Sequence, residues 1–315
     1  MAMKITRWNG KPITKAGWYS HMPIEKYHSQ GICDGPAVSS SNLRTCWLKS
    51  PAHMFVQWAE NPKRIEKAGT ASMLIGGVAH HLLLGEENFK NKYVAQPDTY
   101  RDKVTAVEKP WNNNAGYCRD WHEGQRDVGR TVVTRAMLDS IVAMAQSLAL
   151  EPLSTDLLRG HVECSGFVKD GETGLWLKVR PDVIPTMTGD FVDLKTAADV
   201  TTIALMSTIR SYAYHQQGAL IHEVVEQLGA DHPFAGFVLM FVESVPPHCA
   251  RTVPLTEADL ARGRKQNRAM IRRIAVCQLE KHWPGPGEGD LRELPLSDME
   301  RSSIDARLKY EGFPS

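Results

Sequence analysis

Apolar positions along the chain change their period twice. Several stretches before about residue 150 have helical spacing, 161 to 196 alternates in twos, and helical spacing returns after 200. "SSSNLRTCWLKS" offers serine caps ahead of a short helix, and "SPAHMFVQWAENP" starts another, with Ser50 as N-cap and Pro51 at the first helical position. Thr70 to Leu84 reads as a helix with Met73, Gly76, Gly77, His80 and Leu84 on one face; "TRAMLDSIVAMAQSLAL" is amphipathic. "HVECSGFVKD", "GLWLKVRPDVI" and "DFVDLKT" predict three successive strands joined by turns at "GETG" and "TMTG". A helical stretch follows from about Thr201 to Leu228, broken near Ser211 and stopped by Gly229. "FAGFVLMFVES" predicts a strand buried on both faces and "CARTVPL" another. Thr256 then caps a long helix to about His282, with Leu260, Gly263, Asn267, Met270, Ile274 and Cys277 facing inward. Beside that face run Arg264, Arg268 and Arg272, read as a solvated row, with contact to nucleic-acid phosphates as the alternative.

This order predicts an α/β fold, a mixed central sheet flanked by helices in one domain. Residues 1–38, punctuated by Gly and Pro, read as a surface wrap. Residues 90–130 read as an exposed, partly irregular excursion, and the tail from 286 as irregular before a short polar helix near 297–309.

The chemistry concentrates in "RPDVIPTMTGDFVDLKTAAD". Side chains alternate on a strand, so Asp193 and Lys195 share a face and Leu194 takes the other. Asp182 follows Pro181 where the preceding strand ends, at a point that can lie beside Asp193. Two carboxylates in one place repel unless a cation lies between them. Mg²⁺ takes one or two carboxylates together with phosphate oxygens and water, and a nearby lysine would orient or activate water or stabilise charge on a phosphoryl oxygen. The pattern therefore suits metal-assisted hydrolysis of a phosphate ester. A cross-strand ion pair on a solvated face is the plainer alternative; the apolar setting of "FVDLK" argues against it, because buried charges need partners.

Composition narrows the classes without choosing among them. The chain has 315 residues, 42% hydrophobic and 23% charged, and a net charge of +1, so no global basic field announces a nucleic-acid partner. No apolar run is long enough to span a bilayer, and the polar N-terminus lacks a signal-peptide core. Six cysteines, none in CxxC or CxxH spacing, argue against a zinc or disulfide framework and suit a reducing cytoplasm. Cys249 and Cys277 are too far apart for the closely spaced C-terminal thiolates of an iron–sulfur nuclease. GxSxG, Walker A and dinucleotide glycine fingerprints are absent.

Pro181-Asp182 followed by Asp193-Leu194-Lys195 matches the PD-(D/E)xK signature of restriction-endonuclease-like nucleases. From about residue 27 to 285 the chain resembles the RecE (exonuclease VIII)-like nucleases of phages and prophages, and more distantly lambda exonuclease and RecB nuclease domains. The resemblance rests on "YHSQGICDGPAVSSSNLRTCWLKSPAHMF", "GGVAHHLLLGEENFKNKYVAQP", "ETGLWLKVRPDVI", "DFVDLKTAADV" and "YHQQGALIHEVV" in that order. It implies a nuclease domain over 39–285, an N-terminal wrapping segment over 1–38 and a C-terminal tail over 286–315, with that tail and the 90–130 excursion as candidates for packing between subunits. It also implies that Asp182, Asp193, the Leu194 carbonyl and His80 hold metal, that Lys195 is catalytic, and that Glu163 is an upstream acidic residue of the centre. His81, turned about 100° away, reads as structural. Gln217, with Tyr214 standing in because Ile221 occupies the family's tyrosine position, would contact DNA. So would Ser39, Ser41 and Arg44, which resemble a 5′-phosphate grip, and Arg180; plain helix capping is the alternative for the serines.

The activity implied is a 5′→3′ exonuclease that uses Mg²⁺, two ions, with Mn²⁺ as substitute. It would digest linear duplex DNA ends in the cytoplasm of a bacterial host to leave 3′ tails for a RecT-type annealing protein. Ring-shaped homo-oligomers, trimeric or tetrameric, are part of that expectation. An endonuclease of the same fold, or a catalytically silent DNA-binding member, would share most of these residues.

Overall fold

The structure is a computed structural model and describes residues 4–65, 69–85, 88–186, 188–229, 234–289 and 293–311. The expected α/β architecture is present, with the mixed sheet divided into two five-stranded parts. One part runs in the order Ile5–Arg7, Gly17–Ser20, Ser165–Lys169, Trp176–Val179, Ala37–Ser39. The other runs Ala250–Pro254, Gly236–Glu243, Asp190–Ala197, Val183–Pro185, Gly160–Val162.

The division has a local cause. The first two strands expected from the alternating region each break and pass from one part to the other. Pro181 has no N–H to give the ladder, so "GLWLKVRPDVI" splits into Trp176–Val179 and Val183–Pro185. Opposite it Glu163 takes a left-handed conformation, φ 54°, and splits "HVECSGFVKD" into Gly160–Val162 and Ser165–Lys169. The Glu163 N–H donates to the Asp182 carbonyl at 3.0 Å across the break. Two acidic residues are thereby laid side by side where the ladder is interrupted. The turn expected at 186–189 includes residue 187, outside the described residues.

Asp190–Ala197 and Gly236–Glu243 form the parallel centre, with Phe191 opposite Phe237 and Asp193 opposite Leu239. Alternation sorts their side chains between two cores. Phe191, Phe237, Leu239 and Phe241 pack toward helices Tyr214–Gln227 and Glu257–Glu280. Val192, Leu194, Val238, Met240 and Val242 pack toward helices Ala71–Leu83 and Arg135–Leu150. Asp193 and Lys195 belong by parity to the first face, as the sequence pattern required.

Glycine sets how closely the two long helices approach. A Cβ on Gly263 would lie 2.5 Å from the His215 carbonyl oxygen, a backbone atom that cannot move aside alone. Gly263→Ala should therefore destabilise the fold by about 1–3 kcal/mol, read as a lower urea midpoint with unchanged slope. A substitution costing nothing would mean the helices are not this close.

Two segments are more ordered than their sequence suggested. Residues 4–38, read as a surface wrap, add two strands to the first sheet part through pairing of Gly17–Ser20 with Ser165–Lys169. Within 90–130, Thr99–Arg101 and Glu108–Pro110 form a ribbon beside helix Gly116–Asp127. The arginine row is not simply solvated: Arg264 pairs with Glu226, Arg268 with Asp170 and Glu223, and Arg272 with Glu172. Helix Asp298–Tyr310, capped by Ser297 and Glu300, buries none of its side chains. No helix among the described residues is long and apolar enough to cross a membrane.

Candidate metal and phosphodiester site

The sheet break, one helix and the end of one strand converge. Helix Ala71–Leu83 can rest close to Asp190–Ala197 because Gly76 faces it, where a Cβ would meet the Thr196 hydroxyl oxygen at 3.3 Å. One turn later His80 reaches the strand. Its Nε2 lies 2.6 Å from the Leu194 carbonyl oxygen and 3.3 Å from Asp182 Oδ2, while Nδ1 lies 3.9 Å from Glu163 Oε1. Asp182 Oδ2 also accepts the Leu194 N–H at 2.5 Å. His80, Glu163 and Asp182 present one ligand atom each, all within 4.8 Å of one another. An imidazole, two carboxylates and an adjacent backbone carbonyl form a donor set with the oxygen character that hard divalent cations select. The residues present fit such a cation. His81, as expected, turns away and is buried beside Phe89 and Tyr93.

Asp193 stands differently from the sequence expectation. It is 2% exposed, it pairs with the Lys195 ammonium through Oδ2, and its Oδ1 accepts from Gln217 Nε2 at 2.6 Å. It thus lies beside the histidine–carboxylate group rather than within it, because strand alternation aims it at helix Tyr214–Gln227.

Electrostatics follow from crowding acids under the surface. Burial and the neighbouring Asp193 charge push the Asp182 carboxyl above the usual carboxylate range. Burial alone would lower His80, but the Asp182 charge and the nearby Glu163 carboxylate outweigh it and carry the imidazole up to about 9. Glu163 is itself buried, which raises it, yet His80 and Arg180 bring it below its ordinary value. Burial likewise lowers Lys195, and the Asp193 and Asp182 charges more than compensate, keeping it an ammonium. A proton retained between His80 and Asp182 thus does part of what a cation would do.

Two consequences for pH share one sign. Both groups hold their proton more tightly folded than unfolded, so the stability they add without metal is present at low pH. It is lost as pH rises through their folded values, for His80 near 9. A cation must displace those protons, so Mn²⁺ affinity measured by calorimetry should rise steadily between about pH 6 and 9, with proton release in buffers of differing ionisation enthalpy. A flat affinity across that range would separate cation binding from His80 and Asp182.

The remaining sequence candidates divide. Ser39, Ser41 and Arg44 line the same groove as His80, Glu163 and Asp182, a space of about 970 Å³ that Gln217 and Ile221 also line. Ser39 is the N-cap of helix Ser40–Leu48; its N–H donates to Asn42 Oδ1 at 3.0 Å and its hydroxyl lies 2.9 Å from that of Ser41. Gln217, expected on DNA, holds Asp193 instead. Tyr214 is 9% exposed, its ring beside the Arg44 guanidinium at 5.6 Å and the Lys195 ammonium at 5.3 Å, so it packs behind the lysine. Arg180, also expected on DNA, is committed inward. It pairs with Glu163 and donates through Nη1 to the Met22 carbonyl at 2.8 Å and to Ser165 Oγ at 3.2 Å. Sequence could not show this, because the acceptors lie in the N-terminal segment and across the sheet break.

A solved structure from Eubacterium rectale, described as a candidate exonuclease, superposes with a TM-score of 0.58 at 14% identity, covering 90% of this chain and 98% of that one; this likeness is one of fold. SSO0001, at 14% identity, covers 64% of this chain and 87% of its own with a TM-score of 0.25, too low to support any argument. No curated protein matches the chain. Residues 39–292 match the model of a family described as a PDDEXK-like domain of unknown function, DUF3799. With most of its length matched, the chain belongs to that family.

Proposed function

We propose that the protein is a metal-dependent exodeoxyribonuclease that digests linear double-stranded DNA 5′→3′ and leaves 3′ single-stranded tails for single-strand annealing. The observation that carries the nuclease reading is the convergence of His80, Glu163 and Asp182 on one groove, with the Leu194 carbonyl against His80 and the Asp193–Lys195 pair on either side of Leu194 along the strand. His80, Glu163, Asp182 and the Leu194 carbonyl would hold the cation, Mg²⁺ by choice with Mn²⁺ as substitute, and a second ion would draw on Asp193. When bound, a divalent cation offsets carboxylate charge and polarises a phosphoryl oxygen.

The chain's own groups do the rest. Lys195 brings a fixed positive charge to the place where negative charge grows on the phosphate, and Asp193 orients it. Gln217 keeps Asp193 in place through its amide. Arg180 fixes the Glu163 carboxylate, so the N-terminal segment that anchors Arg180 at Met22 contributes to the centre. The groove mouth at Ser39, Ser41 and Arg44 suits a phosphate, with a helix N-terminus and a guanidinium on one side. The same reading has copies of the chain closing into a ring around duplex DNA and handing tails to a RecT-type annealing protein. The exposed apolar side chains Met299, Ile304 and Leu308 on helix Asp298–Tyr310 support burial of that helix between subunits.

Linear duplex labelled at either the 5′ or the 3′ end, and a covalently closed circle, separate the alternatives when incubated with Mg²⁺. Early mononucleotide release from the 5′ label with circles untouched is expected. Cut circles would make the protein an endonuclease, and binding without cleavage a silent member of the fold.

A further inference from the structure

The link between helices Thr202–Ser211 and Tyr214–Gln227 adopts a conformation its sequence does not favour. Ala213 sits in the left-handed region at φ 49°, which residues other than glycine and asparagine rarely enter. The turn achieves a specific juxtaposition: the rings of Tyr212 and Tyr214 stack with centroids 5.6 Å apart and planes 13° from parallel. Arg44 secures it from the groove side, donating through Nη1 to the Tyr212 carbonyl at 2.9 Å. Two tyrosines separated by a single residue thus have opposite fates. Tyr214 is 9% exposed and packs against Lys195; Tyr212 is 59% exposed.

An aromatic ring that serves only packing would be covered, and one that serves only solubility would not be backed, oriented and pinned by its own carbonyl. We propose that Tyr212 is a stacking platform for a nucleobase of the DNA strand adjoining the phosphodiester that faces Lys195. Its inner face is supported by Tyr214 and its outer face is free to meet a base. Arg44 at the groove mouth and the exposed Arg210 supply positive charge for the flanking phosphates. Every base has a π-face, so such a platform grips a strand without reading its sequence, which suits an enzyme that advances one nucleotide at a time. The inference rests on the nuclease reading above.

The test compares linear duplexes that differ only by an abasic residue placed at each of the first four nucleotides of the attacked strand. Wild-type protein should lose about tenfold in kcat/KM at one of these positions, within the range a single stacked base supplies. Tyr212→Ala should show that loss on intact duplex and become indifferent to the abasic residue everywhere, while Tyr212→Phe retains the wild-type pattern. Thermal unfolding of each variant confirms that the fold is kept. A wild type insensitive at all four positions, or a Tyr212→Ala variant with the wild-type pattern, overturns the platform while leaving the nuclease standing. If the wild type cuts no linear duplex, the nuclease reading falls and the platform with it.

Discussion

Lys195→Met should lower the rate of linear-duplex hydrolysis by at least about 100-fold, the scale on which removing one preorganised electrostatic stabiliser acts. The side chain is placed to matter: its ammonium rests on Asp193, lies 5.3 Å from the Tyr214 ring and borders the histidine–carboxylate group. The substitution also strands a carboxylate that is 2% exposed, and breaking a buried pair from one side costs about 3–5 kcal/mol. Lost activity in the single variant could therefore reflect lost fold. Asp193→Asn combined with Lys195→Met removes both charges while leaving Gln217 a side-chain amide to bond with. The double variant should recover most of the unfolding free energy and none of the activity. Recovery of hydrolysis in it would show that neither residue takes part in the chemistry.

The second large effect belongs to Asp182. In wild-type protein a divalent cation at 100 times its dissociation constant should stabilise the fold by about 2.7 kcal/mol, because it binds only the folded arrangement. Asp182→Asn keeps an oxygen for the Leu194 N–H and loses the charge, so the metal-free variant should be at least as stable as wild type. The parent carboxylate is buried beside another acid. The cation-dependent stabilisation should nearly vanish and hydrolysis with it. Thermal unfolding with and without Mn²⁺ checks both halves, and an undiminished Mn²⁺ shift in the variant would place the cation elsewhere.

Much of this centre was legible in the residues because it rests on short-range rules. Alternation along "DFVDLKT" put Asp193 and Lys195 on one face, and helical spacing put Gly76 and His80 on one face of a helix. The family signature then tied Asp182 to them. What the sequence hid is tertiary. The alternating pattern of "HVECSGFVKD" runs through Glu163 without marking a break, since nothing in a glutamate announces φ 54°. Pro181 is a visible interruption, but that two strands break at the same level, and so pass between sheet parts, depends on their pairing.

For the same reason nothing in the residues showed that Asp193 also pairs with Lys195 and Gln217. Arg180 was read as a DNA contact when Glu163 and the Met22 carbonyl hold it. A charged residue shows its sign in sequence and its partner only in space. Tyr212 escaped notice altogether. In "SYAYHQQ" the second tyrosine drew attention as a stand-in for the family's own, and the first has meaning only once Ala213 turns the chain back.

The central claim is that His80, with Glu163 and Asp182, holds a divalent cation at the sheet break. Pulsed electron paramagnetic resonance of Mn²⁺ bound to the protein tests it most directly, through the hyperfine coupling of a directly bonded imidazole nitrogen. The coupling should be present in wild-type protein and absent from His80→Ala. A Mn²⁺ signal without nitrogen coupling, or one whose coupling survives the loss of His80, would contradict it.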